Sequence, residues 1–151
     1  MLVNQETFSV LKQLVQENGS IELPAEGNSM FPFIRKGDKC QFVECIPSLL
    51  TKGDVVLFYS SSGQLVGHRF IRSELMNRKC VYFFKGDTNL GLDEPVIEAD
   101  IIGKLVSVKK RKVYLKAERM HSLMWCKTLM TFPWLSGLLR VYLNKKNQLH
   151  Q

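Results

Sequence analysis

The sequence lacks paired cysteines and metal-ligand motifs. Its cysteines are scattered, with no Cys-x-x-Cys pair and no histidine at zinc-finger spacing; they are Cys40, Cys45, Cys80 and Cys126. This pattern argues against a metal site and favours reduced thiols that act as small apolar core residues. A disulfide between Cys40 and Cys45 is the alternative. A phosphate loop and a flavin fingerprint are also missing, so we expect no cofactor.

Long uninterrupted hydrophobic runs are missing as well. The first 19 residues carry polar or charged groups every few positions, which excludes the apolar centre of a signal peptide. The long apolar stretch over 123–143 is interrupted by Lys127, Pro133 and Arg140 and would make a poor transmembrane helix. We therefore expect a cytoplasmic protein, whose contact with the inner membrane surface would be peripheral.

What the chain does contain is a balanced globular composition with excess positive charge. Its 151 residues, 45% of them hydrophobic and 23% charged, are typical of one folded domain. The net charge of +7 favours an anionic partner, either nucleic acid or an anionic membrane surface. Nucleic acid ranks lower, because the basic cluster Lys109–Lys112 has only Tyr114 as a neighbouring aromatic residue. That cluster is typical of a hairpin turn or a solvated strand end.

The hydrophobic pattern predicts one short helix followed by strands. Apolar residues recur at helical spacing from Glu6 to Val15, and Asn18-Gly19 supplies a terminator. Short apolar runs bounded by turn residues follow at Ile21–Leu23, Lys39–Glu44, Asp54–Tyr59, Leu65–Ile71, Cys80–Phe84 and Ile101–Val108. No helical pattern separates these runs, as a parallel fold would require. The prediction is a mainly β protein built on an antiparallel sheet or small barrel.

Three short segments carry candidate chemistry. They contribute Ser29, then His68, then Asp87 with Asp93 shortly after it. A serine hydroxyl is a weak nucleophile unless a base takes its proton, and imidazole, with a pKa of about 6.5, suits that task. A carboxylate then fixes the imidazole tautomer and stabilises the imidazolium. Taken singly, each of these residues is more often a turn residue or a structural histidine.

Further segments surround these residues in a definite order. They are Ser29–Pro32, Arg35–Asp38, Lys52–Phe58, Gly67–Ile71, Gly86–Asn89 and Ile102–Val106. The first resembles the Ser-Met-x-Pro nucleophile box of the signal peptidase I superfamily, which also contains the LexA-like self-cleaving repressors. The fourth takes the place of the base-bearing segment, and the fifth resembles the Gly-Asp-x-Asn box. The resemblance covers Glu22 to Val108 and implies a serine endopeptidase with that superfamily's fold.

The base position indicates the subtype. Bacterial signal peptidases and LexA-like proteins have lysine where this chain has His68, so the chain resembles the endoplasmic-reticulum and archaeal type, also found in some Gram-positive bacteria. The resemblance implies that Ser29 is the nucleophile and that both Asp87 and Asp93 serve the site. We expect Asp93 to orient His68 and Asp87 to support the site; which carboxylate does which task stays open in the sequence. The resemblance also implies that the Ser29 backbone N–H holds the oxyanion. Gly27 replaces a serine that adds a second donor in some lysine-type relatives.

The implied organisation is a catalytic domain over 1–118, with its core at 22–108, and an amphipathic C-terminal helix over 119–151. The C-terminal helix carries aromatic residues among leucines and lysines: Trp125, Phe132, Trp134 and Tyr142. It could lie on an anionic membrane or pack on the domain or a partner. Typical signal peptidases have an N-terminal membrane anchor, whereas this chain starts with an amphipathic helix. We therefore expect a leader or signal-like peptide as substrate; the oligomeric state stays open.

Two other functions remain alternatives. A self-cleaving regulator of the LexA or UmuD kind would fit the basic charge, but few residues precede Ser29 and no Ala-Gly or Cys-Gly cleavage pair lies among them. Its base would also be lysine. A catalytically inactive binding module would use the basic face and the C-terminal helix as interaction surfaces. The presence of Ser29, His68, Asp87 and Asp93 together argues against it.

Overall fold

The computed structural model describes residues 1–110, 114–116, 120–132 and 134–148. Its first element is the predicted helix, α1 (Gln5–Asn18). The side chain of Asn4 accepts a hydrogen bond from the Thr7 N–H at the start of the helix, and Gly19 ends it with a φ of +74°. α1 therefore forms where the capping residues and the apolar spacing predict it.

Within the described residues, the chain then forms one antiparallel sheet. Its strands are β1 (Ser20–Pro24), β2 (Lys39–Val43), β3 (Val55–Tyr59), β4 (Leu65–Met76), β5 (Lys79–Lys85), β6 (Val96–Ile97), β7 (Ile101–Lys109) and β8 (Tyr114–Lys116). The strand order is β1-β2-β7-β3-β4-β5-β6, and β8 pairs with β7. The path ends at β1 and β6, so the described strands form a curled open sheet rather than a closed barrel. The predicted mainly β, antiparallel class is confirmed.

β3 is paired along both edges, with β7 and β4, and is buried on both faces because a hydrophobic cluster packs against each face. Val55 and Leu57 join the core cluster that packs under α1, whereas Val56 and Phe58 join a second cluster on the opposite face. Along β4, the side chains of His68 and Val66 lie on the same face, because they are two residues apart, and Val66 packs against the second cluster. β4 thus holds His68 in a rigid and largely buried setting.

The β4–β5 hairpin extends beyond the predicted runs. The apolar patterns end at Ile71 and begin again at Cys80, whereas the ladder continues through exposed residues 72–76. Asn77 and Arg78 both have positive φ, as a two-residue hairpin loop requires. β6 and β8 were also not predicted, because runs of two and three residues are too short to give a pattern.

The cysteines only partly follow the sequence expectation. Cys40, Cys45 and Cys80 are free thiols, so the alternative disulfide between the first two is not formed. Cys40 is a core residue, but Cys80 is exposed near the end of the hairpin, so the core expectation is wrong for it. Burial raises the pKa of Cys40 to about 12. The side chain of Cys126 lies outside the described residues.

The basic cluster at the end of β7 lies beside a chain reversal. Lys109 pairs with Tyr114 across the β7–β8 hairpin, as the turn interpretation expects. Lys110 donates to the carbonyl oxygen of Pro32 at 3.4 Å and approaches Asp38 at the same distance. The remaining cluster positions, 111 and 112, lie outside the described residues.

The C-terminal region contains two helices where the sequence predicts one. They are α2 (Met120–Thr131) and α3 (Trp134–Gln148). Short 3₁₀ helices also occur at Pro47–Leu49 and Glu98–Asp100. Nowhere in the described part of the chain is a helix both long enough and apolar enough to span a membrane.

Candidate active site

Ser29 lies in the turn between β1 and β2. The turn is closed by hydrogen bonds from the Phe31 N–H to the Asn28 carbonyl oxygen, at 3.0 Å, and from the Ile34 N–H to the Met30 carbonyl oxygen, at 2.9 Å. The side chains of Met30 and Ile34 are buried in the core cluster under α1. Two buried apolar side chains therefore anchor the turn that carries the serine hydroxyl.

His68 lies between Ser29 and Asp93 in one hydrogen-bonded row. Its Nε2 is 2.9 Å from Ser29 Oγ, and its Nδ1 is 2.6 Å from Asp93 Oδ2. With the proton on Nδ1, the imidazole donates to Asp93 and Nε2 can accept the proton of the serine hydroxyl. The Asp93 backbone N–H donates to the Phe84 carbonyl oxygen at 2.9 Å, which ties the carboxylate's loop to β5.

Asp87 lies apart from this row and binds Arg69. Arg69 Nε and Nη2 donate to the two carboxylate oxygens at 2.6 and 3.0 Å, and both residues are only 3% exposed. The Trp125 indole N–H donates to Asp87 Oδ2 at 3.1 Å. Burial raises the pKa of Asp87, while Arg69 and Trp125 oppose that rise. The structure thus places Asp93, and not Asp87, against the imidazole.

The residues on either side of Asp87 contact the row directly. Thr88 donates to the Ser29 carbonyl oxygen twice, from its backbone N–H at 2.9 Å and from its hydroxyl at 3.2 Å. A Cβ built on Gly86 would lie 2.9 Å from His68 Nε2, so only glycine leaves room for the imidazole there. The segment around Asp87 therefore sets the spacing between the serine turn and the histidine.

Sequence reasoning placed none of Arg69, Thr88 and Trp125 at the site; it counted Trp125 only among the aromatic residues of the C-terminal helix. Arg69 could have been found, because a charged residue inside an apolar strand needs a buried partner and Asp87 was already a candidate carboxylate. The indole of Trp125 reaches Asp87 from α2, 38 residues away in the sequence. No local pattern marks such a contact.

A cleft with a volume of about 350 Å³ opens beside Ser29 and His68. Its two walls are formed by residues 23–27 and 64–68. Gly27 lies on the first wall, where an added Cβ would meet no atom within 4 Å. The cleft lining is mostly apolar and includes Met30, Ile34, Cys40, Phe42, Leu57 and Leu65. The cleft therefore presents an apolar surface next to the serine hydroxyl.

The chemistry that this arrangement permits is activation of a hydroxyl by a base. The serine oxygen, the imidazole and the carboxylate are in hydrogen-bond contact in that order, and an open cleft gives access to the serine oxygen. Comparison of the chain with protein-family models and with curated proteins gives no match. What the site does must therefore be argued from its own residues.

Proposed function

We propose that this protein is a serine endopeptidase of the signal peptidase I type, in the subtype that uses histidine as base. The observation that carries the proposal is the row of Ser29 Oγ, His68 and Asp93, with contacts of 2.9 and 2.6 Å. The three residues come from separate parts of the chain, on a turn, a strand and a loop. Their order and contacts are those that acyl transfer by a serine hydroxyl requires.

The proposed reaction begins with attack of Ser29 Oγ on the scissile carbonyl carbon. As the new C–O bond forms, the hydroxyl proton passes to His68 Nε2, and Asp93 stabilises the resulting imidazolium. The intermediate collapses with cleavage of the C–N bond, and His68 gives its proton to the leaving amine. Water then attacks the ester on Ser29 and passes a proton to His68, which returns it to Ser29 Oγ as the acid product leaves.

The negative oxygen of the intermediate needs hydrogen-bond donors. We assign one donor to the Ser29 backbone N–H, which lies in the turn held by Thr88 and by the buried side chains of Met30 and Ile34. Gly27 adds no side-chain donor from its wall of the cleft. Loss of one such donor costs about a hundred- to a thousand-fold in turnover, so either another backbone amide replaces it or the enzyme is slow.

The proposed substrate is a leader or signal-like peptide that binds in extended form. β4 pairs with β3 along residues 65–69 but with β5 only from Arg69 onward. The second edge of β4 at Val66 and Gly67 therefore faces the cleft, where a peptide strand could add to it. The apolar lining favours apolar side chains on the acyl side of the cut.

We further propose that the protein works at the inner membrane surface through α3. Trp134, Leu138 and Val141 are exposed and recur at i, i+4 and i+7, so they form one apolar stripe. Residues 119–151 contain five Lys or Arg and no Asp or Glu. An apolar stripe in a purely basic segment suits an anionic bilayer. We expect the protein to cosediment with vesicles that contain phosphatidylglycerol, and Leu138→Glu to abolish this binding. Binding to phosphatidylcholine vesicles as strong as to anionic ones, or no binding to either kind, would contradict the proposal.

The test of the peptidase is cleavage of a leader-peptide library by the purified protein. We expect wild type to cut members of the library at a defined bond, and Ser29→Ala and His68→Ala to abolish the cut. Ser73→Ala is the matched control, because this serine is exposed on β4, far along the strand from His68. Equal background cleavage in wild type and in both variants would contradict the peptidase and favour a binding module.

A further inference from the structure

The helix α2 adds a group to the candidate active site that lies outside the segments resembling peptidase boxes. The Trp125 indole N–H donates to Asp87 Oδ2 at 3.1 Å. We propose that Trp125 is a positioning residue of the catalytic centre, acting through Asp87 and Thr88 on Ser29. This inference rests on the proposed peptidase function.

The buried carboxylate of Asp87 needs hydrogen-bond donors. Asp87 is 3% exposed, and each of its oxygens can accept about two hydrogen bonds. Arg69 supplies one donor to each oxygen, and Trp125 supplies a second donor to Oδ2. Loss of one hydrogen-bond donor to a buried charged group costs free energy and favours a shift of that group away from its native position. The indole N–H therefore helps to fix the carboxylate and the backbone that carries it.

The neighbours of Asp87 in the chain connect its backbone to the nucleophile and to the base. Thr88 follows Asp87 in the chain and holds the Ser29 carbonyl oxygen with two hydrogen bonds, at 2.9 and 3.2 Å. On its other side Asp87 is preceded by Gly86, which packs against His68 Nε2. A shift of Asp87 would therefore change the distance between the serine hydroxyl and the imidazole.

A second set of contacts places the C-terminal helices against the same two loops. The ring of Tyr142 on α3 stacks on Phe31, two residues after the nucleophile, with the ring centroids 6.0 Å apart. A Cβ on Gly137 would lie 3.7 Å from the side chain of Leu90, which lies between Asp87 and Asp93 in the chain. α3 thus contacts the serine turn through Tyr142, and its Gly137 lies near Leu90. α2 contacts Asp87 through the indole N–H of Trp125.

The experiment measures reaction of Ser29 with a fluorophosphonate, a probe that reports serine activation without a known peptide substrate. In Trp125→Phe, which removes the N–H and keeps an aromatic ring, we expect the maximal labelling rate to fall about tenfold with half-saturation unchanged. Met124→Ala is the matched control, since Met124 is exposed beside Trp125 on α2. It should label at the wild-type rate.

A spectroscopic reading separates positioning from general damage. The proton between His68 Nδ1 and Asp93 should give a downfield ¹H resonance in wild type, because the two atoms are 2.6 Å apart. This resonance should persist in Trp125→Phe if the variant is folded and only the serine side of the row has moved. If Trp125→Phe fails to fold, benzothienylalanine at position 125 removes only the N–H from the same ring shape.

The outcomes distinguish the two proposals. Wild-type labelling in a folded variant lacking the indole N–H overturns the role of Trp125 and leaves the peptidase intact. A change in half-saturation with an unchanged maximal rate overturns it as well, because that result means a role in probe binding. Absence of Ser29-specific labelling in wild type defeats the proposed function itself.

Discussion

The two aspartates near His68 have the same side chain and opposite surroundings. The Asp93 carboxylate is 22% exposed at the edge of the site and binds the imidazole, whereas that of Asp87 is 2% exposed and binds Arg69. A carboxylate beside imidazole can respond when the ring gains a proton, but a carboxylate paired with guanidinium faces a charge that never changes. In the proposed mechanism, position in the fold rather than residue type gives Asp93 the catalytic role and Asp87 the supporting one.

The segment from Gly86 to Asp93 makes both arrangements possible. It starts at the end of β5, passes the buried ion pair, and returns to β5 through the hydrogen bond between the Asp93 N–H and the Phe84 carbonyl oxygen. One short loop thus presents two carboxylates in different directions. Substitutions at these positions should separate catalytic effects from effects on stability.

Asp93→Asn should cause the largest loss of activity and little loss of stability. The amide cannot stabilise the imidazolium and favours the wrong tautomer, so we expect labelling of Ser29 to fall by about 10⁴-fold. Thermal unfolding should change little, because the Asp93 side chain is 22% exposed and the replacement amide can still hydrogen-bond to the imidazole. Fluorophosphonate labelling and calorimetry on the same sample measure both. A labelling rate near that of wild type would contradict the assignment.

Asp87→Asn should cost more stability than Asp93→Asn and less activity. Ser29 labelling of the folded fraction should still slow at least as much as in Trp125→Phe, because Asp87 positions Thr88 and Gly86. Removal of one partner of a buried pair leaves Arg69 uncompensated, and we expect the free energy of unfolding to fall by about 3–5 kcal/mol. Urea denaturation gives this quantity, and labelling below the transition gives the activity of the folded fraction. Glu74→Gln, which breaks the exposed pair between Arg72 and Glu74, is the matched control and should cost less than about 1 kcal/mol. Equal costs in the two variants would show that burial of the pair is unimportant.

Gly86→Ala should lower activity less than Asp93→Asn and stability less than Asp87→Asn. Gly86 lies between the hydrogen-bonded row of Ser29, His68 and Asp93 and the ion pair of Arg69 with Asp87. The added methyl group would lie 2.9 Å from His68 Nε2 and 3.0 Å from Asn89, so the ring must move. A displacement of about 1 Å can cost on the order of a hundredfold in rate, with overpacking costing about 1–3 kcal/mol. Gly91→Ala, where the added atom meets nothing within 4 Å, is the control. Wild-type labelling in Gly86→Ala would contradict the tight contact.

Much of the fold is predictable because its strands are apolar runs between turn residues. The exposed half of the β4–β5 hairpin is not, since its residues show no apolar alternation and its pairing depends on backbone hydrogen bonds and on the positive φ of Asn77 and Arg78. The division of the C-terminal region into α2 and α3 was also missed. Pro133 marked it in the sequence, but the apolar character on both sides favoured one continuous helix.

The order of motifs points to Ser29 and His68 and to two candidate aspartates, whereas the contact of Asp93 with His68, and of Asp87 with Arg69, could only come from the fold. The ion pair of Arg69 with Asp87 requires knowing that both side chains are buried, which depends on the register of β4 and β5. The contact of Trp125 with Asp87 is the least predictable of these contacts, because it depends on how α2 packs against the sheet. Sequence patterns identify residues that share an element; contacts between distant elements depend on tertiary packing.

Activation of Ser29 by His68 is tested most directly by the site of covalent modification by the fluorophosphonate, read by intact mass and peptide mapping. Such activation predicts one adduct, on Ser29, in wild type, with loss of the adduct in Ser29→Ala and a severe slowing in His68→Ala. It predicts that Ser73→Ala is labelled like wild type. Labelling spread over several serines, or equal labelling of Ser29 with and without His68, would contradict activation of Ser29 by the imidazole.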